Sequence, residues 1–128
     1  MSLRLQTIVE HMRLRKGDTV LEVGCGHGIA ADLICQQLSR GRLVAIDRSA
    51  KMIAAAMRRN ACHVATGKAE FHVAALEDFD PGDKRFDVIL AIRVGIFHRE
   101  PVRARGIVTR WLKPSGRIIA EFRGPEEL

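Results

Sequence analysis

Chemistry in this chain concentrates in one short stretch. Val20 to Gly28 read VLEVGCGHG, an apolar run carrying a single carboxylate, Glu22, and then glycine at every second position. Val20, Leu21 and Val23 suit a fully buried strand, and Gly24, Gly26 and Gly28 suit a tight turn where a ligand meets bare backbone. Ile29, Ala30, Leu33, Ile34 and Leu38 then recur at helical spacing, so the turn opens a helix. A glycine turn between a strand and a helix N-terminus offers unpaired amides and the positive end of a helix dipole, which suits a nucleotide.

Two glycine registers imply two ligands. Gly26-x-Gly28-x-x-Ala31 satisfies the dinucleotide pattern GxGxxG/A. Glu22-x-Gly24-x-Gly26-x-Gly28 is instead an acidic residue followed by GxGxG. The first register places Glu22 in the strand interior, where an ionised carboxylate without a partner costs several kcal/mol, on the order of an isolated-charge penalty. The second places it at the strand's carboxyl end, facing a crevice where a cation can meet it. The second is therefore preferred.

From Gly17 to about Phe122 the chain resembles the class I methyltransferases that use S-adenosylmethionine. Gly17-Asp18-Thr19-Val20-Leu21-Glu22-Val23-Gly24-Cys25-Gly26 resembles the family's first motif nearly residue for residue. Val44-Ala45-Ile46-Asp47 resembles its second strand with a terminal acid, and Phe86-Asp87-Val88-Ile89-Leu90 its fourth strand. Leu112-Lys113-Pro114-Ser115-Gly116-Arg117 resembles the turn before the fifth. The resemblance implies S-adenosyl-L-methionine as cofactor and a methyltransferase activity, most simply on a small-molecule substrate; the alternatives are a cofactor-binding subunit without turnover or a methyltransferase that depends on a partner, and then RNA methylation. It also implies a cofactor site made of Glu22, Gly24, Cys25, Gly26, Asp47, Arg48, Leu76 and Glu77.

The residues have their own chemistry beside that likeness. Asp47 ends an apolar strand one strand-helix-strand unit after the glycine turn, where a carboxylate accepts both ribose hydroxyls. The plain alternative, an aspartate capping the next helix, is weakened because Ser49 can cap instead. Glu22 suits the methionine ammonium, and otherwise a salt bridge to an Arg. Arg48 offers its guanidinium plane to adenine, and equally keeps a dinucleotide carrying a 2′-phosphate as a rival. Ala75 stands where the family often has a polar adenine ligand, which shifts that contact to the Leu76 amide or to Glu77. Ala91-Ile92-Arg93-Val94 departs from the motif of amino-methyltransferases acting on DNA bases. In-line methyl transfer needs placement more than side-chain chemistry, and alignment supplies about 7–11 kcal/mol of such barriers. His98 is the candidate base by position and intrinsic pKa, against a plainer reading as a surface or core histidine, and Arg93 is the candidate for orienting an anionic substrate.

Helices alternating with apolar strands predict an α/β fold, a doubly wound and mostly parallel five-stranded sheet in the order 3-2-1-4-5 with helices on both faces. A helix is expected within residues 1–16, with Leu5, Ile8, Val9 and Met12 on one face, either covering the crevice or packing on the sheet. Residues 17–122 form the Rossmann-like core and 123–128 a tail, so 1–128 reads as one domain. A helix is expected over 50–65 with Met52, Ile53, Ala56 and Met57 inward. Another is expected from Pro101 to Leu112 with Val102, Ile107, Val108 and Trp111 packing. Because Arg117 to Phe122 is followed by only six residues, the family's two terminal strands are expected to be lacking. Strand five then becomes an open edge, covered by the tail or by a second copy in a homodimer.

The 128 residues contain no apolar run of membrane-spanning length, and the amino end lacks the apolar stretch of a signal peptide. Cys25, Cys35 and Cys62 show neither disulfide nor zinc spacing, which favours a reduced, cytoplasmic protein and no metal. A net charge of +6 invites a nucleic-acid reading, but the 21 Lys and Arg residues are scattered along the sequence. Arg99, Arg103 and Arg110 are the most patch-like set, on one face of a single helix. With five Phe, one Trp and no Tyr to stack on bases, a solvated basic face is favoured over an RNA site.

Overall fold

Five apolar segments become five strands: β1 (Thr19–Val23), β2 (Arg42–Asp47), β3 (Ala69–Val73), β4 (Phe86–Ile92) and β5 (Leu112–Glu121). In the computed structural model, which describes residues 3–92 and 94–121, they form one parallel sheet in the order β3-β2-β1-β4-β5. That is the expected topology. The helices are α1 (Leu3–His11), α2 (Ile29–Gln37), α3 (Ala50–Arg59), α4 (Ala61–Ala65), α5 (Gly95–Arg99) and α6 (Pro101–Thr109), with a 3-10 turn at Leu76–Asp78. No helix of the described residues is long and apolar enough to cross a membrane.

Both sheet faces are covered, which is why β1 and β4 read as continuous apolar runs. On one face Val20, Ala45 and Leu90 meet Val9 of α1 and Met12 just after it, Ile34 and Cys35 of α2, and Ile53 and Ala56 of α3. On the other, Leu21, Val23, Ile46 and Ile89 meet Phe97 of α5, Val108 of α6 and Trp111. Of the two roles open to the first helix, α1 takes packing on the sheet.

Four expectations are corrected. The helix over 50–65 breaks at Asn60 (φ −105°, ψ 27°), whose buried amide leaves the helix to donate to Gly28 O at 3.1 Å and Ala56 O at 2.9 Å. Met57 is exposed rather than inward, because α3 turns Ile53 and Ala56 to the core. The last helix starts afresh at Pro101, so Arg99 lies on α5, Arg103 on α6 and Arg110 beyond it, and no single helix carries all three. Within α6 the buried positions are Ala104 and Val108, while Val102 is 85% exposed.

The fifth strand begins earlier than Arg117. Leu112 already pairs with Phe86, and Arg117 pairs with Val88, so Lys113 to Gly116 loop out between two paired segments. Pro114 explains the interruption, since it cannot donate to a ladder. The tail 123–128 lies outside the described residues, as do Phe122 and Arg93.

Candidate cofactor site

The parallel strands deliver their carboxyl ends to one crevice, the expected ligand position where strand order reverses beside β1. A cavity of about 330 Å³ opens there. Its lining includes Gly24 from the glycine turn, Asp47 and Arg48 after β2, Ala75, Leu76 and Glu77 after β3, and Val94, Gly95, Ile96 and Arg99 after β4. Five of the eight residues singled out in the sequence thus line one space.

Asp47 organises it. The Gly26 N–H donates to Asp47 Oδ2 at 2.9 Å and the Ser49 N–H to Oδ1 at 2.9 Å, so one carboxylate ties the glycine turn to the start of α3. Each oxygen retains lone-pair capacity toward the crevice. Ser49 is the N-cap of α3, its Oγ accepting the Met52 N–H at 3.2 Å, which leaves Asp47 free of that duty. Leu76 opens the 3-10 turn, so its amide has no partner within that turn.

The three glycines differ. All have positive φ, at +74° for Gly24, +56° for Gly26 and +88° for Gly28. A Cβ on Gly24 would lie 2.7 Å from Val94 Cγ2, and one on Gly28 would lie 2.6 Å from Asn60 Nδ2 and 3.0 Å from Ala56 Cα. A Cβ on Gly26 would meet nothing within 4 Å. Gly28 is therefore a packing glycine against α3, and Gly26 is the one with open space before it. The dinucleotide register needs its second glycine, Gly28, to face a pyrophosphate, and that approach is filled by Asn60 and Ala56.

Glu22 does not face the crevice. Its strand neighbours are Ala45 and Leu90, so alternation places it on the face packed by α1, α2 and α3, and it is only 3% exposed. Oε1 has no hydrogen-bond partner, and the side chain forms no salt bridge among the described residues. Burial first, and the neighbouring Asp47 carboxylate second, push its pKa up to about 8. The same two carboxylates, after burial, push the Cys25 thiol up, so Cys25 is an inert core residue rather than a nucleophile.

The candidates for catalysis separate. Arg93 lies outside the described residues. His98 is exposed on α5 and does not line the cavity. Arg99, read from sequence as part of a basic face, lines the cavity instead and folds back over Gly95. A Cβ at Gly95 would lie against its guanidinium, a contact that the flexible side chain relieves by moving, so no local pattern in the sequence places Arg99 at the cavity. No group of three or more potential metal ligands occurs among the described residues.

Comparison with known proteins gives this geometry a family. Residues 20–116 match the methyltransferase domain family. The chain is 36% identical over 116 residues to phosphoethanolamine N-methyltransferase 1 of Arabidopsis thaliana, covering 87% of this chain and 22% of that protein. It is 24% identical over 129 residues to malonyl-(acyl-carrier protein) O-methyltransferase of Halalkalibacterium halodurans, covering 98% and 48%. Among solved structures, the plantazolicin methyltransferase BpumL in complex with SAH superposes with a TM-score of 0.73 at 26% identity, covering 92% of this chain and 45% of that one. The chain thus spans under half the length of these relatives. The match over β1 to the start of β5, with a crevice built from the same motifs, places this chain in the class I S-adenosylmethionine-dependent methyltransferase family.

Proposed function

We propose that this domain binds S-adenosylmethionine in the crevice and serves methyl transfer to a small, anionic acceptor. The observation that carries the reading is the Asp47 carboxylate held against the Gly26 amide, with the side-chain direction of Gly26 open. The cofactor, when bound, supplies an electrophilic methyl group on a sulfonium. The residues present fit it. Asp47 would take the ribose hydroxyls, Arg48 the adenine face, and the Leu76 amide with Glu77 the adenine edge. Gly24 and Gly26 give close backbone approach, while Glu22, turned to the packed face, takes no part in the crevice.

This chain's own contribution to the chemistry is placement. Arg99, at the cavity wall formed by Val94, Gly95 and Ile96, holds a fixed positive charge where an acceptor would approach. Relatives named for phosphoethanolamine and for a malonyl group carry acceptors with a phosphate or a carboxylate, which supports an anionic class here. The free thiols support a reducing, cytoplasmic setting. A second copy at β5 belongs to the same proposal, because among the described residues β5 pairs only with β4 and presents half-buried Ile118 and Ile119.

Calorimetric titration with S-adenosylhomocysteine, followed by methyl transfer from labelled S-adenosylmethionine to a panel of phosphate- and carboxylate-bearing amines and alcohols, tests this reading. Binding together with transfer to an anionic acceptor is expected. Binding of a nicotinamide dinucleotide in its place would overturn it.

A further inference from the structure

A parallel sheet gathers at one rim every segment that leads into a strand, and in this chain those segments carry the charge. Residues 12–18, 38–42, 66–68, 79–85 and 110–116 contain ten of the 21 Lys and Arg residues and only three of the 15 Asp and Glu residues. The rest of the chain, eleven basic against twelve acidic, is nearly neutral. Positive charge that is scattered in sequence is concentrated at the end of the sheet opposite the cofactor crevice.

The rim is assembled, not merely implied by topology. Ser39, Arg40 and Gly41 all donate their amides to Lys16 O, at 3.1, 3.1 and 2.9 Å, and the Arg40 guanidinium lies over Gly17. Arg42, Lys68, Lys84 and Arg85 share a groove of about 660 Å³ in which Glu70 is the one acidic side chain. Arg42 and Arg85 donate to backbone carbonyls, and Lys68 caps α2 through the carbonyls of Cys35 and Leu38, so these contacts orient the cations without neutralising them. Of the described Lys and Arg residues of the rim, Lys84, to Glu70 at 3.2 Å, and Lys113, to Asp87 at 3.0 Å, form ion pairs with carboxylates, and Arg15 also lies within electrostatic reach of Asp87.

We propose that this rim is a docking surface for the phosphate backbone of a nucleic-acid duplex. Five strands about 4.8 Å apart span about 19 Å, and a duplex carries one phosphate charge per about 1.7 Å of its axis with both strands counted, so about eleven phosphates lie in that length, part of them on the side that meets the rim. The aromatic residues of these segments turn inward, Trp111 buried and Phe79 half-buried, which leaves the backbone rather than the bases to be read. An anionic membrane fits less well. Of the exposed large apolar side chains among the described residues, Val102 on α6 and Val73 at the carboxyl end of β3 lie off the rim, and Met57 alone borders its groove.

Fluorescence anisotropy with labelled 20-base-pair RNA and DNA duplexes, across a salt series, tests the proposal on the intact chain. Two charge-matched variants are compared: Arg40→Gln/Arg42→Gln/Lys84→Gln/Arg85→Gln on the rim, and Lys51→Gln/Arg58→Gln/Arg103→Gln/Arg105→Gln on exposed faces of α3 and α6. The wild type should bind with affinity falling steeply as salt rises. The rim variant should lose at least tenfold, equally for unrelated sequences, with the log–log salt slope reduced by about three to four, at about 0.9 per lost contact. The control variant should stay within threefold of wild type, and both should keep S-adenosylhomocysteine affinity and melting temperature. A preference between the RNA and DNA arms assigns the duplex. No binding at 50 mM salt, equal losses in the two variants, or binding only to vesicles of anionic lipid would overturn the proposal.

Discussion

The Gly26 amide donates to Asp47 Oδ2 at 2.9 Å, so the turn after β1 and the end of β2 are held together by the residue proposed to take the ribose. The carboxylate is oriented before any ligand arrives. Charge-assisted hydrogen bonds of this kind are worth about 1.5–3 kcal/mol each.

Asp47→Ala should therefore weaken S-adenosylhomocysteine binding at least about tenfold, which needs only about 1.4 kcal/mol. Asp47→Asn should weaken it too, because its amide nitrogen or oxygen cannot accept from both Gly26 and Ser49. Isothermal titration measures both. An unchanged dissociation constant in Asp47→Ala would remove the residue from the ligand.

Gly26 and Gly28 should fail in different ways. Gly26→Val points its side chain into open space, so it should abolish ligand binding while the chain still melts cooperatively. Gly28→Ala drives a Cβ against Asn60 and the Ala56 backbone at a left-handed φ, and should cost about 2–4 kcal/mol of stability. Thermal melts beside titrations separate the two, and identical behaviour would contradict the assigned roles.

The buried Glu22 sets a pH dependence. Its folded pKa of about 8 stands above the ordinary carboxyl value of 4.5, so the folded state holds a proton that the unfolded state releases. Stability from this group is fully present below about pH 4.5 and is lost as pH rises through 8, a change on the order of 5 kcal/mol. Urea unfolding at pH 5.5 and 8.5 should show the wild type weaker at the higher pH and Glu22→Gln nearly level.

Glu22 also shows how far the sequence could be read. The order of strands, the cofactor turn and Asp47 follow from local patterns, because apolar runs, glycine spacing and strand-end acids are each set within a few residues. The cost of burying an unpartnered carboxylate speaks against the dinucleotide register, yet Glu22 is buried in the register now supported. Its cost appears as a raised pKa instead, and the contrast between an open Gly26 and a blocked Gly28 separates the registers. Arg99 was misplaced for another reason. Its helix ends before Pro101, and only tertiary packing brings α5 over Gly24. The charged rim was illegible because its members are neighbours through topology alone.

Asn60 joins the turn to the fold, and its loss should be felt at both. Its Nδ2 donates to Gly28 O and Ala56 O from a position only 1% exposed, and its identity ends α3. Asn60→Ala leaves two buried carbonyls without that donor and a cavity beside Gly28, which should destabilise the chain by about 1–3 kcal/mol. Because Gly28 caps α2, hydrogen exchange at the amides of Gly26 to Asp32 should accelerate more than exchange in β4. Uniform acceleration across the sheet would mean that Asn60 supports the core at large rather than the turn.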